Sequence, residues 1–353
     1  MLVTTAEQLM MPEAVQPGRN WRRGAWVCAG ILLMCAAFLM PYVLGGGTEL
    51  VRLRNAWVME DIRSVDFNWT PDAPPADFKL EPGPPMPFFV EKANTLGLAA
   101  LPDDWQRVVV ISKDLLSSAP ALRGGAVQDD LLSTYRDITE RGNGYCGDFV
   151  RTFSALALAA DIPVRQWAFS FDGFGGYGHI WPEIWNRQQR KWQLVDIFNN
   201  AYFTGPDGQI LSALAFRQAM LTKPDSIQMH RVVPTARPGY VEEAKAWDYY
   251  RRGLNEWYLW WGNNVFEYDQ AWLVQALGDM HRSLEQVGGI VQGVQPHVQV
   301  LAEPANMRQL EAMWALHIRL RVLFVVSVLA TLGLVFCWAA ARRAKKNRGE
   351  ATP

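Results

Sequence analysis

Cys146, His179 and Asp196 are the residues of this 353-residue chain whose types and settings could carry covalent chemistry. Of its four cysteines, Cys28, Cys35 and Cys337 fall within two long apolar runs near the ends, where a cysteine serves as small apolar filler. Cys146 stands outside both, in the stretch GNGYCGDFVRTFSALALAADIPVR. An unpaired thiol in an exported domain is either buried and inert or kept free for its reactivity, so the neighbours must decide. Phe149, Phe153, Leu156 and Ala160 recur at helical intervals, which predicts a buried helix that begins close to Cys146 and ends before Pro163. A cysteine at a helix N-terminus meets unpaired N–H groups and the positive end of the macrodipole. Both favour a thiolate and offer donors to a developing oxyanion. Asp148, in the first turn, opposes the thiolate, and the sequence leaves the net sign open.

The stretch YGHIWPEIWNRQQRKWQLVDIFNN reads as a hairpin. Alternation puts His179, Trp181, Glu183 and Trp185 on one face of the first strand, and Trp192, Leu194 and Asp196 on one face of the second. A tight turn centred between Arg187 and Gln188 pairs Trp181 with Leu194 and His179 with Asp196. Directly opposite residues have Cβ atoms roughly 4.5–5.5 Å apart, so the carboxylate could hold the imidazole in one tautomer. A structural histidine, and an aspartate that closes a turn before Asn199 and Asn200, remain the alternatives. Tyr145, Trp181 and Glu183 are the candidates for touching substrate. Tryptophans at such positions more often fill a core, and Glu183 fits a solvated strand face equally well. His230, His281, His297 and His317 lack ligand-like spacing, so neither a metal nor a cofactor is expected.

Periodicity does not bring Cys146 to His179. The fragments GYCGDFVRTFSALALAADIPVR, GHIWPEIW and WQLVDIF, in that order, resemble the transglutaminase-like superfamily of papain-like thiol enzymes. The resemblance covers residues 130–216 and implies that Cys146 is the nucleophile, His179 its general base and Asp196 the residue that orients the imidazole. The implied fold is α+β, a papain-like transglutaminase core with a central helix against an antiparallel sheet. Three departures stand out. Asp161 replaces the usual glycine at a position that can require left-handed backbone, which aspartate tolerates better than most residues. Pro182 removes a ladder donor and predicts an edge or bulged strand. Ile197 replaces the proline that commonly follows the aspartate.

The elements that position these residues sit between the two apolar runs. Residues 25–44 and 322–341 each carry about 20 residues without charge, the length of a membrane-crossing helix. Arg19, Arg22 and Arg23 precede the first; Arg342, Arg343, Lys345, Lys346 and Arg348 follow the second. The positive-inside bias therefore places both termini in the cytoplasm, in a bacterial inner membrane, with the middle of the chain periplasmic. A cleaved signal peptide is the rival for the first run, but Met40-Pro41-Tyr42 is a poor cleavage site.

The organisation so read is a cytoplasmic N-terminus (1–24), a span (25–44), a proline-rich arm with the first part of the exported domain (45–125), the catalytic core (126–216), a helical aromatic-rich extension (217–321), a second span (322–341) and a basic tail (342–353). Residues 71–87 should form an extended linker or wrapping arm. Residues 107–112, RVVVIS, predict a short buried strand, and residues 129–140 a helix. Trp247, Tyr250, Leu254, Trp257 and Trp261 fall on one face of a long helix, either packed on the core, near a bilayer surface, or used as a stacking platform for sugar or peptide.

A net charge of -1 without a basic stripe argues against nucleic acid as a partner. The expected chemistry is acyl transfer on an amide, with hydrolysis by a peptidase or amidase favoured and transglutaminase-type cross-linking the alternative. The partners are then the bilayer and an envelope peptide or protein. A non-catalytic protein binding peptide or polysaccharide in an envelope assembly is a different class, motivated by the aromatic stretch. Arylamine acyltransfer is poorer, because GNGY lacks an arginine-rich lead-in.

Overall fold

Apolar side chains at positions 149, 153 and 156 bury one face of a helix that starts at Cys146, and the antiparallel strands that follow are wound against it. In the computed structural model, which describes residues 17–60, 65–117, 125, 127 and 129–349, the chain divides into two units, residues 45–317 and a second of residues 1–44 with 318–353. The expected features at 1–16 and 350–353, the outer parts of both cytoplasmic ends, lie outside the described residues, as do the side chains of Arg19, Lys345, Lys346 and Arg348.

In chain order the helices before the sheet are α1 (Pro17–Leu44), α2 (Gly47–Val58), α3 (Pro87–Thr95), α4 (Asp104–Ser117), α5 (Leu131–Arg136) and α6 (Cys146–Ala159). Strands β1 (Val164–Ser170), β2 (Gly178–Asn186), β3 (Lys191–Leu194) and β4 (Ala201–Thr204) come next, then α7 (Ala213–Thr222) and β5 (Gln228–Arg231). The rest is α8 (Glu243–Arg252), β6 (Trp257–Trp260), α9 (Val265–Gln270), α10 (Trp272–Gly278), α11 (Arg282–Gln292), β7 (Val298–Val300) and α12 (Met307–Gly349).

An antiparallel sheet ordered β3-β2-β1-β6-β7 organises the larger unit, with β4 and β5 paired separately. Alternation splits its side chains between two cores. Val164 and Ile184, opposite one another on β1 and β2, join Phe149, Phe153 and Leu156 of α6. Trp167, Trp181, Trp257 and Leu259 join an aromatic core on the other face. The proline-rich segment is a wrapping arm: Phe78 is buried, the Lys79 N–H donates to Trp261 O at 3.1 Å, and Glu81 accepts from the N–H groups of Phe266 and Glu267 at the start of α9.

Four local expectations are corrected. The RVVVIS run lies inside α4, where Val108, Ile111 and Leu115 are fully buried at helical spacing; a short apolar run suits either period, and its flanks extend this one into a helix. The long aromatic helix does not exist: α8 stops at Gly253, and Trp257 lies on β6, an inner strand between β1 and β7. Trp257 and Trp261 are each 1% exposed, so neither can stack on a sugar, and the observation behind a binding protein goes with them. The extension expected to be helical supplies β5, β6 and β7. Finally, β2 is neither an edge strand nor bulged at Pro182. The Pro182 carbonyl accepts from Val195 N–H at 3.1 Å, so the missing donor faces β3 just past the last paired residues, Glu183 and Leu194.

The second unit brings α1 and the end of α12 together at small residues. A Cβ on Gly24 would lie 2.9 Å from Cys337 Sγ, and one on Gly333 would lie 2.9 Å from Cys28 Sγ. The cysteines fill the gap between closely approaching helices. Leu33 and Phe336 are 71% and 63% exposed, and both helices are long and apolar enough to cross a membrane.

Candidate active site

Cys146 is the first residue of α6, and two devices place it there. Gly144, with φ +126°, makes the turn into the helix, and a Cβ on it would lie 3.2 Å from Ile138 Cγ1. Asp148 turns back on the backbone, accepting from Tyr145 N–H at 2.9 Å and Val127 N–H at 3.2 Å. Its carboxylate thus serves as the cap of the helix. The thiol is unpaired and partly exposed.

His179 lies near the start of β2, buried, with its Nε2 2.7 Å from Asp196 Oδ2. Asp196 is fully buried and saturated. Its Oδ1 accepts from Asn199 N–H at 3.0 Å, and its Oδ2 accepts from Asn199 Nδ2 at 2.9 Å and the Tyr250 hydroxyl at 2.8 Å. Only acceptors are available on an ionised carboxylate, so Nε2 carries the hydrogen and Nδ1 is the nitrogen left for Cys146, which lies close enough to favour the imidazolium. Burial disfavours the imidazolium, but the Asp196 carboxylate and then Cys146 outweigh it, and the His179 pKa is pushed up to about 10. Burial likewise works against the Asp196 carboxylate, yet His179 and Asn199 hold its pKa below the ordinary value.

The hairpin register differs from the expected one by two residues: Glu183 pairs with Leu194 and Trp185 with Trp192. Residues 187–190 form a four-residue turn, with Arg190 at φ +53° and the Asn186 side chain accepting from Gln189 N–H at 2.9 Å. A shift of two preserves the face. Asp196, just beyond β3, therefore still reaches His179, through its side chain and not as a directly opposed pair. Asp161 adopts the left-handed conformation that its position suggested, φ +57°.

A cleft of about 320 Å³ opens over Cys146 and His179, lined by Gly147 and Arg151 of α6, Tyr258 and Trp260 of β6, and Arg54 of α2, among others. Tyr145, 53% exposed, caps α6 beside the thiol. Trp181 and Glu183 are corrected as substrate contacts, because both are fully buried. Trp181 packs edge-on to the His179 ring at 5.4 Å between centroids. Glu183 bridges Arg165 Nε at 2.6 Å, Trp167 Nε1 at 2.9 Å and Ala213 N–H at 2.6 Å, a purely internal junction. Asn199 and Tyr250 are the site residues that sequence reasoning missed. Asn199 had a signal, its spacing of three from Asp196; Tyr250, on α8, had none.

Among the described residues, Glu60, Asp77 and His297 bring one potential ligand atom each within 4.8 Å of one another. They come from three separate segments, which sequence spacing could not reveal, and they could hold a cation. None belongs to the Cys146 to Asp196 chain of contacts.

A thiol at a helix start, an imidazole on a neighbouring strand and a carboxylate behind it define a papain-like arrangement. Residues 124–197, which contain all three groups, match the family model of the transglutaminase-like superfamily. This segment is accordingly a transglutaminase-like core, of the kind that supports thiol and acyl-transfer chemistry. No curated protein and no solved structure matches the chain.

Proposed function

We propose that the protein is a membrane-anchored cysteine hydrolase that cleaves peptide or amide bonds through Cys146, His179 and Asp196, its larger unit lying outside a bacterial cytoplasmic membrane. The observation that carries this reading is the His179 imidazole held between Asp196 and a partly exposed thiol at the floor of a cleft. His179 takes the thiol proton. The thiolate then adds to the substrate carbonyl, and N–H groups of the first turn of α6 stabilise the oxyanion. The tetrahedral species collapses with loss of the amine, which receives the proton from His179 Nδ1. Water, deprotonated by the same nitrogen, attacks the thioester, and the acid leaves as the thiol is restored. An amine in place of water would give cross-linking; hydrolysis is preferred because the sequence carries nothing specific for a glutamine donor or a lysine acceptor.

The test is iodoacetamide alkylation of Cys146 in the full-length protein as a function of pH. Wild type should react rapidly even at about pH 6, below the range of a free thiol, and His179→Ala should lose that reactivity. Equal, slow labelling of both folded proteins would remove the basis for an enzyme.

A further inference from the structure

The stretch DGFGGYG, residues 172–178, leads into β2, and the triad does not use it. Its Gly175, Gly176 and Gly178 line the cleft together with Cys146 and His179. Glycine loses more conformational freedom on ordering than any other residue, so a segment of this composition should be loose unless something holds it. This one is held along its length. The N–H groups of Gly173 and Phe174 donate to Glu256 Oε2 at 2.7 and 3.2 Å, those of Gly175 and Tyr177 to the Asp172 carboxylate at 2.9 and 3.4 Å, and that of Gly176 to Thr48 O at 3.1 Å. Phe174 is buried and left-handed at φ +64°, a conformation that persists in a phenylalanine only where its surroundings impose it.

The carbonyls of the same loop are taken by α2. Arg52 Nη1 donates to Asp172 O at 2.6 Å and to Gly173 O at 2.8 Å, and Asn55 Nδ2 donates to Phe174 O at 2.9 Å. Glu49 fixes the guanidinium in turn, accepting from Arg52 Nε at 3.0 Å and Nη2 at 3.1 Å. Only a planar fork of donors reaches two carbonyls and a carboxylate together. The glycines are the complement of this helix. A Cβ on Gly175 would lie 2.8 Å from Arg52 Nη2 and one on Gly176 would lie 2.6 Å from Thr48 Cα, so side chains there would push the loop away from α2.

We infer that Arg52 is a positioning residue for the Cys146 and His179 pair: its guanidinium fixes residues 172–178 as one wall of the cleft and so fixes where β2 begins and where His179 stands. This rests on the proposed thiol chemistry and goes beyond it, because it makes α2, the helix that follows the first apolar run, part of the apparatus that sets the reactivity of the thiol.

The experiment combines hydrogen–deuterium exchange with the iodoacetamide reaction in full-length protein. Arg52→Ala should speed exchange of the amides in residues 173–177 roughly 10-fold or more, while α6 and β3 keep their protection. Alkylation of Cys146 at about pH 6 should slow by a similar factor, and the rates of variant and wild type should converge above about pH 9, where a free thiol is itself ionised. Methylguanidinium should restore both readings, which it could not do for a misfolded chain. Gly176→Ala keeps the Arg52 charge and only wedges the loop from α2, so it should reproduce both effects without being rescued. Unchanged loop exchange in Arg52→Ala, or faster exchange with an unaltered alkylation profile, would overturn the positioning role. So would faster loop exchange with a normal alkylation profile in Gly176→Ala, since the thiol would then feel only the charge of the arginine. Absence of His179-dependent alkylation in wild type is a separate result: it overturns the thiol chemistry and this role with it, whatever the exchange shows.

Discussion

The Cys146 thiol is partly exposed, while the His179 and Asp196 side chains behind it are buried. His179 and Asp196 form a buried pair, and the sign of its contribution to stability follows from the two shifts. The His179 pKa is raised to about 10 in the folded protein, against about 6.5 unfolded. Its stabilisation is therefore complete below about pH 6.5 and is lost as pH rises through 10. Asp196 is shifted downwards, so its contribution is present above about pH 4 and fades on further acidification. Urea unfolding of wild type should accordingly show a stability plateau between about pH 4 and 6.5 and a decline towards pH 10. Asp196→Asn, which removes the charge that holds the imidazolium, should lose most of that alkaline decline. An unchanged slope in the variant would mean that Asp196 does not set the charge of His179. Tyr250 belongs to the same network, since its hydroxyl donates to Asp196 across 54 positions of sequence.

Elements explain why some of the site was legible in the sequence and some was not. The α6 helix was readable because its apolar positions repeat locally and Pro163 bounds it. The strands flanking the turn were readable by alternation. The turn itself is longer than expected, yet a register error of two kept His179 and Asp196 on the same face. The run in α4 and the aromatic β6 were misread because continuous apolar residues carry no period of their own. Gly253 separates α8 from β6 at a point where a Cβ would lie 2.1 Å from Phe169 Cδ2, a tertiary contact invisible in sequence. Glu183 shows the same limit. Alternation put it on the face of His179, but only the fold reveals that Arg165, Trp167 and Ala213 converge on it. Glu183→Ala should therefore behave as a stability variant, leaving a buried guanidinium without its counter-charge at a cost of about 3–5 kcal/mol in chemical denaturation. A loss below about 1 kcal/mol would reinstate Glu183 as a surface-facing residue.

At the scale of the whole molecule, the first apolar helix is joined to the larger unit by a very short link: α1 ends at Leu44 and α2 begins at Gly47. The span in α1 covers 24 residues, about 36 Å of helix against a hydrocarbon core of roughly 30 Å. Arg22 and Arg23 at one end, and Arg342 and Arg343 after the other run, are the charges that favour keeping both termini inside. The proposed orientation matters chemically, because it would put a lone thiol in an oxidising compartment, where there is no second cysteine in residues 45–317 to trap it as an intramolecular disulfide. A cysteine introduced at the exposed Asp72, in a Cys146→Ala background, should be labelled in intact cells by a membrane-impermeant maleimide. Labelling only after lysis would reverse the topology. It would also move Cys146 to a reducing compartment, where a free thiol is ordinary, and the search for its substrate would shift from the envelope to the cytoplasm.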